Sequence, residues 1–197
     1  AAGRDALRGA VDRNAAGPWG RAAAETLQQG SMTVDDHLAV ARVLRAQGLH
    51  AESLDGYGRW LASGAGSPAQ RADVHMEHAN ALFYSERYAE VAQALRPVAS
   101  QVSARMLHAR AEAHRGNIDG AVRIYLALAD EYARAATGTQ ALFLAASTRH
   151  DAGDMPRARE LYQRVVARYP GSSQMGLALM RLGGMAYLDG DYADAIR

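Results

Sequence analysis

His75 and His78 stand three residues apart with Glu77 between them, a spacing that on a helix turns two imidazoles toward one cation. Two donors do not make a zinc site, which takes four protein ligands when structural and three when catalytic, and the spacing supplies no third. His108 and Glu112, one helical turn apart, read as a local helix contact. The chain has no Cys, which removes thiolate nucleophiles, disulfides and Cys-ligated zinc, and no Lys, which removes Schiff bases and the lysine of phosphate loops. Neither His-Glu-x-x-His nor Gly-x-Ser-x-Gly occurs. The carboxylate pairs Asp35–Asp36 and Asp130–Glu131 read as solvated helix faces. The expectation is a chain with no catalytic residues, no metal and no cofactor, and therefore not an enzyme.

If the side chains do no chemistry of their own, the elements that carry them decide the function. Hydrophobic residues make up 49% of the 197, largely small Ala and Leu that let helices approach closely, and charged residues reach 22%. A net charge of +1 gives no field to hold nucleic acid or an anionic membrane, and both partners are discounted. All 22 basic residues are Arg, which serves well in helix-surface ion pairs. No apolar run approaches the roughly 18 residues of a membrane span. The chain opens Ala1-Ala2-Gly3 without Met, which reads as a processed or excised segment.

A turn signal recurs in Gly116-Asn117-Ile118-Asp119-Gly120-Ala121, Gly153-Asp154-Met155-Pro156-Arg157-Ala158 and Gly190-Asp191-Tyr192-Ala193-Asp194-Ala195, each 37 residues after the last. A fixed period of that length is the signature of a solenoid. The segment 137–152 places Leu142, Leu144 and Ala145 on one face, and 155–168 does the same with Ala158, Leu161, Tyr162, Val165 and Val166. Gly153 suits a left-handed cap, Asp154 caps the next helix, and Pro156 in its first turn sacrifices no hydrogen bond. Ser67/Gln70, Thr137/Gln140 and Thr33/Asp36 each carry the reciprocal capping pattern. The aromatic residues recur at helical spacing, and most are expected in the core.

Leu179, Leu182, Gly183, Ala186, Gly190, Tyr192 and Ala195, with Leu161, Tyr162 and Pro170 one unit earlier, resemble the tetratricopeptide repeat, whose usual period is slightly shorter. The resemblance implies an all-α, right-handed α-solenoid of antiparallel helix pairs: a degenerate cap over 1–32, then repeats at about 33–67, 68–101, 102–136, 137–171 and an incomplete 172–197. It also implies a noncatalytic scaffold that offers a concave groove to a protein or peptide. The matching groove positions are Arg42, Glu77, Asn80, Tyr84, Arg110, His114, Arg181 and Tyr187.

The stretches Tyr162–Ser172 and Leu182–Tyr187 further resemble bacterial envelope assembly lipoproteins and the helical superstructure of soluble lytic transglycosylases. That alternative implies a noncatalytic segment guiding a peptidoglycan strand beside a catalytic domain outside this chain, and it favours a periplasmic or envelope location over the cytoplasm. With six residues after Asp191, the last pair reads as unfinished. Leu179, Leu182, Met185 and Tyr187 are then expected to be partly uncovered, with end-to-end self-association as the consequence.

Overall fold

The structure, a computed structural model, describes residues 2–191. It is all-α, with eleven α-helices and no strand among the described residues. The chain falls into two compact units, residues 1–99 and 100–197. The first holds α1 (Ala2–Arg13), α2 (Pro18–Gln28), α3 (Val34–Ala46), α4 (His50–Ala62), α5 (Pro68–Tyr84) and α6 (Tyr88–Ala94), with a 3₁₀ turn at Arg96–Val98. The second holds α7 (Val102–His114), α8 (Ile118–Glu131), α9 (Ala136–Asp151), α10 (Met155–Arg168) and α11 (Ser173–Leu188). Within each unit every helix packs on the next, and first helices also meet across a pair, α1 with α3 and α9 with α11.

One backbone hook joins the two helices of a pair. The amides of Leu49, Arg87, Asn117, Asp154 and Asp191 each donate to the carbonyl five residues back, all at 2.9 Å. The residue before each closes a second bond three residues back, from Gly48 to Arg45, Glu86 to Phe83, Gly116 to Ala113, Gly153 to His150 and Gly190 to Tyr187. This geometry satisfies orphan carbonyls at the helix end and requires a left-handed residue at the hook. Four hooks use Gly at φ 79° to 83°, and the α5–α6 hook uses Glu86 at φ 60°. A side chain there costs about 1–2 kcal/mol, partly offset because it has less freedom to lose than Gly. Glu86→Gly is expected to stabilise the first unit by about 0.5–1 kcal/mol, read as a higher denaturant midpoint at unchanged slope.

The hook sets the register of the helix that follows. Five residues later stands Ser53, Val91, Ala121 or Ala158, each fully buried, and nine later stands Tyr57, Leu95, Tyr125 or Tyr162. The α5–α6 pair is abbreviated, since α6 spans 7 residues before Pro97 turns the chain into the 3₁₀ segment. Its hook precedes the next by 30 residues, where the later hooks keep the 37-residue period. That shorter pair is invisible in the 37-residue pattern of the second unit.

The capping boxes at Thr33/Asp36 and Ser67/Gln70 form as the spacing predicts. The one expected at Thr137/Gln140 does not: α9 starts at Ala136, so Thr137 lies inside it. A Cβ on the buried Gly138 would come within 2.2 Å of the Tyr132 carbonyl oxygen, so the approach of the α8 exit to α9 itself requires glycine.

Asp36 is a larger correction. Far from solvated, it is 0% exposed, and its carboxylate accepts from Arg4, from Arg8 at 2.8 Å and from the Thr33 amide at 2.9 Å. It fastens α1 to the start of α3, beside a core of Val11, Leu27, Ala39, Val40 and Val43. Asp35 is exposed but engaged, accepting the Trp60 indole N–H at 2.9 Å. The two tryptophans differ sharply, Trp60 being 3% exposed and Trp19, in the first turn of α2, 80%. In the second unit one core runs from Ala109 through Leu128, Leu142 and Val165 to Met185. Met185 is thus buried, against expectation, whereas Leu179 and Tyr187 are exposed and Leu182 is half-buried. The expected short helix beyond Asp191 lies outside the described residues.

Candidate ligand groove

The eight predicted groove residues divide by unit. In the first, Arg42 on α3 bonds Asp12 of α1 and Glu77 of α5, each at 3.0 Å, so the two predicted groove charges satisfy one another. Asn80 donates to the Met76 carbonyl of its own helix at 2.8 Å. Tyr84 is exposed and stacks on His50, ring centroids 5.0 Å apart. A cavity of about 360 Å³ opens beside Arg42, lined also by Arg8, Asp12, Asp35 and Trp60, and its polar groups are largely paired among themselves.

His75 and His78 lie nearer the middle of α5. Burial lowers both imidazoles below the ordinary range; the charge of Arg71 adds to the effect on His75, and His75 and Arg87 to that on His78, which Glu90 opposes. The Nδ1 of His75 is buried with no hydrogen-bond partner among the described residues. Both are therefore folded in the neutral form, and the unfolded chain binds more protons as the pH falls. Stability is complete above the ordinary histidine value of about 6.5 and is lost as the pH drops below it toward the depressed folded values. Between about pH 7.5 and about pH 5.5 the wild-type melting temperature should fall, and His75→Gln/His78→Gln should flatten that slope.

In the second unit Arg110 and His114 of α7 face Ser147, Thr148 and Asp151 of α9 across a groove of about 350 Å³. Ala113, Ile118 and Leu144 form its apolar walls, and Tyr125 of α8 forms the floor. Helix α8 packs on both α7 and α9, which sets the floor. No group of three or more His, Asp or Glu side chains among the described residues could hold a metal ion. Arg181 of α11 is exposed, and its charge bears on the Tyr162 hydroxyl; Tyr187 is exposed at the end of the same helix.

The structure thus joins Arg110 with His114, pairs Arg42 with Glu77, and adds eight lining residues that sequence reasoning missed. Two of the eight are within its reach: Ser147 and Asp151 lie one 37-residue period after Arg110 and His114. The expected core role of Tyr125 is correct for its ring but leaves out its hydroxyl.

The register-equivalent tyrosines differ in what their hydroxyls meet. Tyr57 accepts from Arg45 Nε at 3.0 Å, and Tyr162 shares a 3.2 Å hydrogen bond with Ser147. Tyr125, 2% exposed, has no hydrogen-bond partner among the described residues. Burial pushes its hydroxyl up to about 12, with the Arg110 charge pulling the other way, so it remains a protonated donor at neutral pH.

Residues 140–172, most of α9 and α10, match the tetratricopeptide repeat family. Among solved structures, the chain is similar to the nearly identical TPR-like repeats of a kinesin-light-chain-type protein of Podosopora anserina. There the TM-score is 0.65 at 17% identity, over 83% of this chain and 93% of that one. A single-substitution variant of that protein gives a TM-score of 0.64 at the same identity and coverage. BtubC (BKLC) from P. vanneervenii gives 0.56 at 14% identity, over 98% of this chain and 84% of that one. At these identities the likeness speaks to fold, which is that of tetratricopeptide-like helix pairs. A search of curated proteins returns no match. None of these similarities is to an envelope lipoprotein or a lytic transglycosylase, so that resemblance rests on the sequence pattern alone. No helix among the described residues is long and apolar enough to cross a membrane.

Proposed function

We propose that this chain is a noncatalytic binding module that holds a protein or peptide segment in the α7–α9 groove. The observation that carries this reading is the groove's make-up: an open, mainly apolar trough of about 350 Å³ with a few polar groups at its rim and floor. Such a lining suits a peptide, whose side chains take the apolar walls while its backbone needs a small number of placed partners. The first unit supports the reading less, because Arg42 and Glu77 already neutralise each other there.

A synthetic peptide array probed with the full chain tests it. Binders should be found, and Ala113→Arg, which puts a long side chain into the trough from α7, should abolish their binding while the far-ultraviolet helix signal stays unchanged. Binding that is indifferent to Ala113→Arg would move the ligand site away from this groove.

A further inference from the structure

Three hydroxyls line the groove of the second unit, on Tyr125, Ser147 and Thr148. Ser147 is engaged with Tyr162 and Thr148 with the Leu144 carbonyl of its own helix, whereas Tyr125 makes no hydrogen bond to a described residue. Tyr125 lines this cavity beside the apolar Ala113, Ile118 and Leu144. A hydroxyl that lines the groove without a protein partner can donate to a ligand there.

We propose that Tyr125 is the groove's hydrogen-bond donor and that it takes an amide carbonyl of a neutral, extended peptide segment whose aliphatic side chain rests against Ile118 and Leu144. The inference rests on the peptide-groove reading and names the ligand chemistry of that site. Charge complementarity selects a neutral occupant: Arg110 and Asp151 place opposite charges on the lining, so the groove as a whole favours neither an acidic nor a basic segment. Donor character selects a carbonyl, since a protonated hydroxyl at the floor offers its O–H to an acceptor. The apolar walls select an aliphatic neighbour, because a charged side chain would lose its water against Ile118 and Leu144 without an ion partner.

The probe is N-acetyl-leucine methylamide, which carries two amide carbonyls and one aliphatic side chain and has no charge. Titrated into the isotopically labelled full chain, it should shift the backbone amide resonances of Ala113, Ser147 and Thr148. Tyr125→Phe, which keeps the ring and deletes the donor, should weaken that binding by about tenfold with the melting temperature unchanged. Tyr57→Phe, the register-equivalent change in the first unit, is expected to leave the isotherm as it was. N-acetyl-leucine with a free carboxylate should bind less well than the amide. Tighter binding of the carboxylate, an isotherm unmoved by Tyr125→Phe, or shifts that avoid these amides would each overturn the proposal. Array binders that Ala113→Arg abolishes but Tyr125→Phe leaves intact would end this inference and keep the groove reading.

Discussion

Tyr162→Ala is expected to cost the second unit about 3–5 kcal/mol, a large share of the roughly 5–15 kcal/mol that holds an ordinary domain together. The side chain is 0% exposed and lies at the contact of α9 with α10, its ring 5.6 Å from Phe143 and 6.1 Å from His150 between centroids. Truncation removes the ring's transfer energy and leaves a cavity that neighbouring helices, fixed by their own hooks, fill only in part. Tyr162→Phe separates packing from polarity. It forfeits the bond to Ser147 alone and should cost about 1 kcal/mol, whereas Tyr125→Phe, with no such bond to lose, should cost less. Urea denaturation of the three variants gives the ranking; a Tyr162→Ala loss below about 1 kcal/mol would mean that the core around it is loosely packed.

Asp36→Ala should cost the first unit about 2–4 kcal/mol. The carboxylate completes the α3 capping box with Thr33 and receives two guanidinium groups from α1, so one substitution removes a cap and the charge-assisted bonds that dock α1. Arg4 and Arg8 are partly exposed and regain water, which is why the loss stays below that of a buried charge left without its partner. Burial raises the affinity of this carboxyl for its proton, but the Thr33, Arg4 and Arg8 hydrogen bonds outweigh burial and hold it below the ordinary aspartate range. The sign follows: the stabilisation is fully present above the ordinary aspartate value and disappears as the pH falls through the depressed folded value. Asp36→Asn should remove this part of the acid sensitivity, which lies well below the histidine window of α5. An acid limb as steep in Asp36→Asn as in wild type would assign acid unfolding to other carboxylates.

How far the sequence reveals this molecule depends on the distance over which each interaction acts. Gly153, Asp154 and Pro156 show a helix end and a helix start because cap chemistry is local, and Ser67 with Gln70 does so within four residues. Thr137 misleads because Gly138 must sit where only glycine clears the Tyr132 carbonyl, and the helix starts earlier to place it there. Asp36 reads as solvated because its partners stand 32 and 28 residues away, on a helix whose sequence barely resembles the repeat. The α5–α6 pair is legible as a pair but not as a short one, since Glu86 stands where a glycine would have announced the turn. Register places Arg110 and His114 on the groove, whereas it cannot place Tyr125 there, because whether its hydroxyl has a partner is decided by what α7 and α9 bring to it.

The placement of the tryptophans makes the two units spectroscopically unequal. Trp19 and Trp60 both belong to residues 1–99, and Trp60 is enclosed with its indole N–H bound by Asp35. Emission excited at the red edge of the indole band therefore reports the first unit alone, against the steady background of solvent-facing Trp19, while circular dichroism weighs the helices of both. A denaturation curve followed by both signals measures directly whether residues 1–99 and 100–197 melt together. The second unit, which carries the α7–α9 groove, has no indole of its own, so its unfolding is seen as helix lost without a change in that emission.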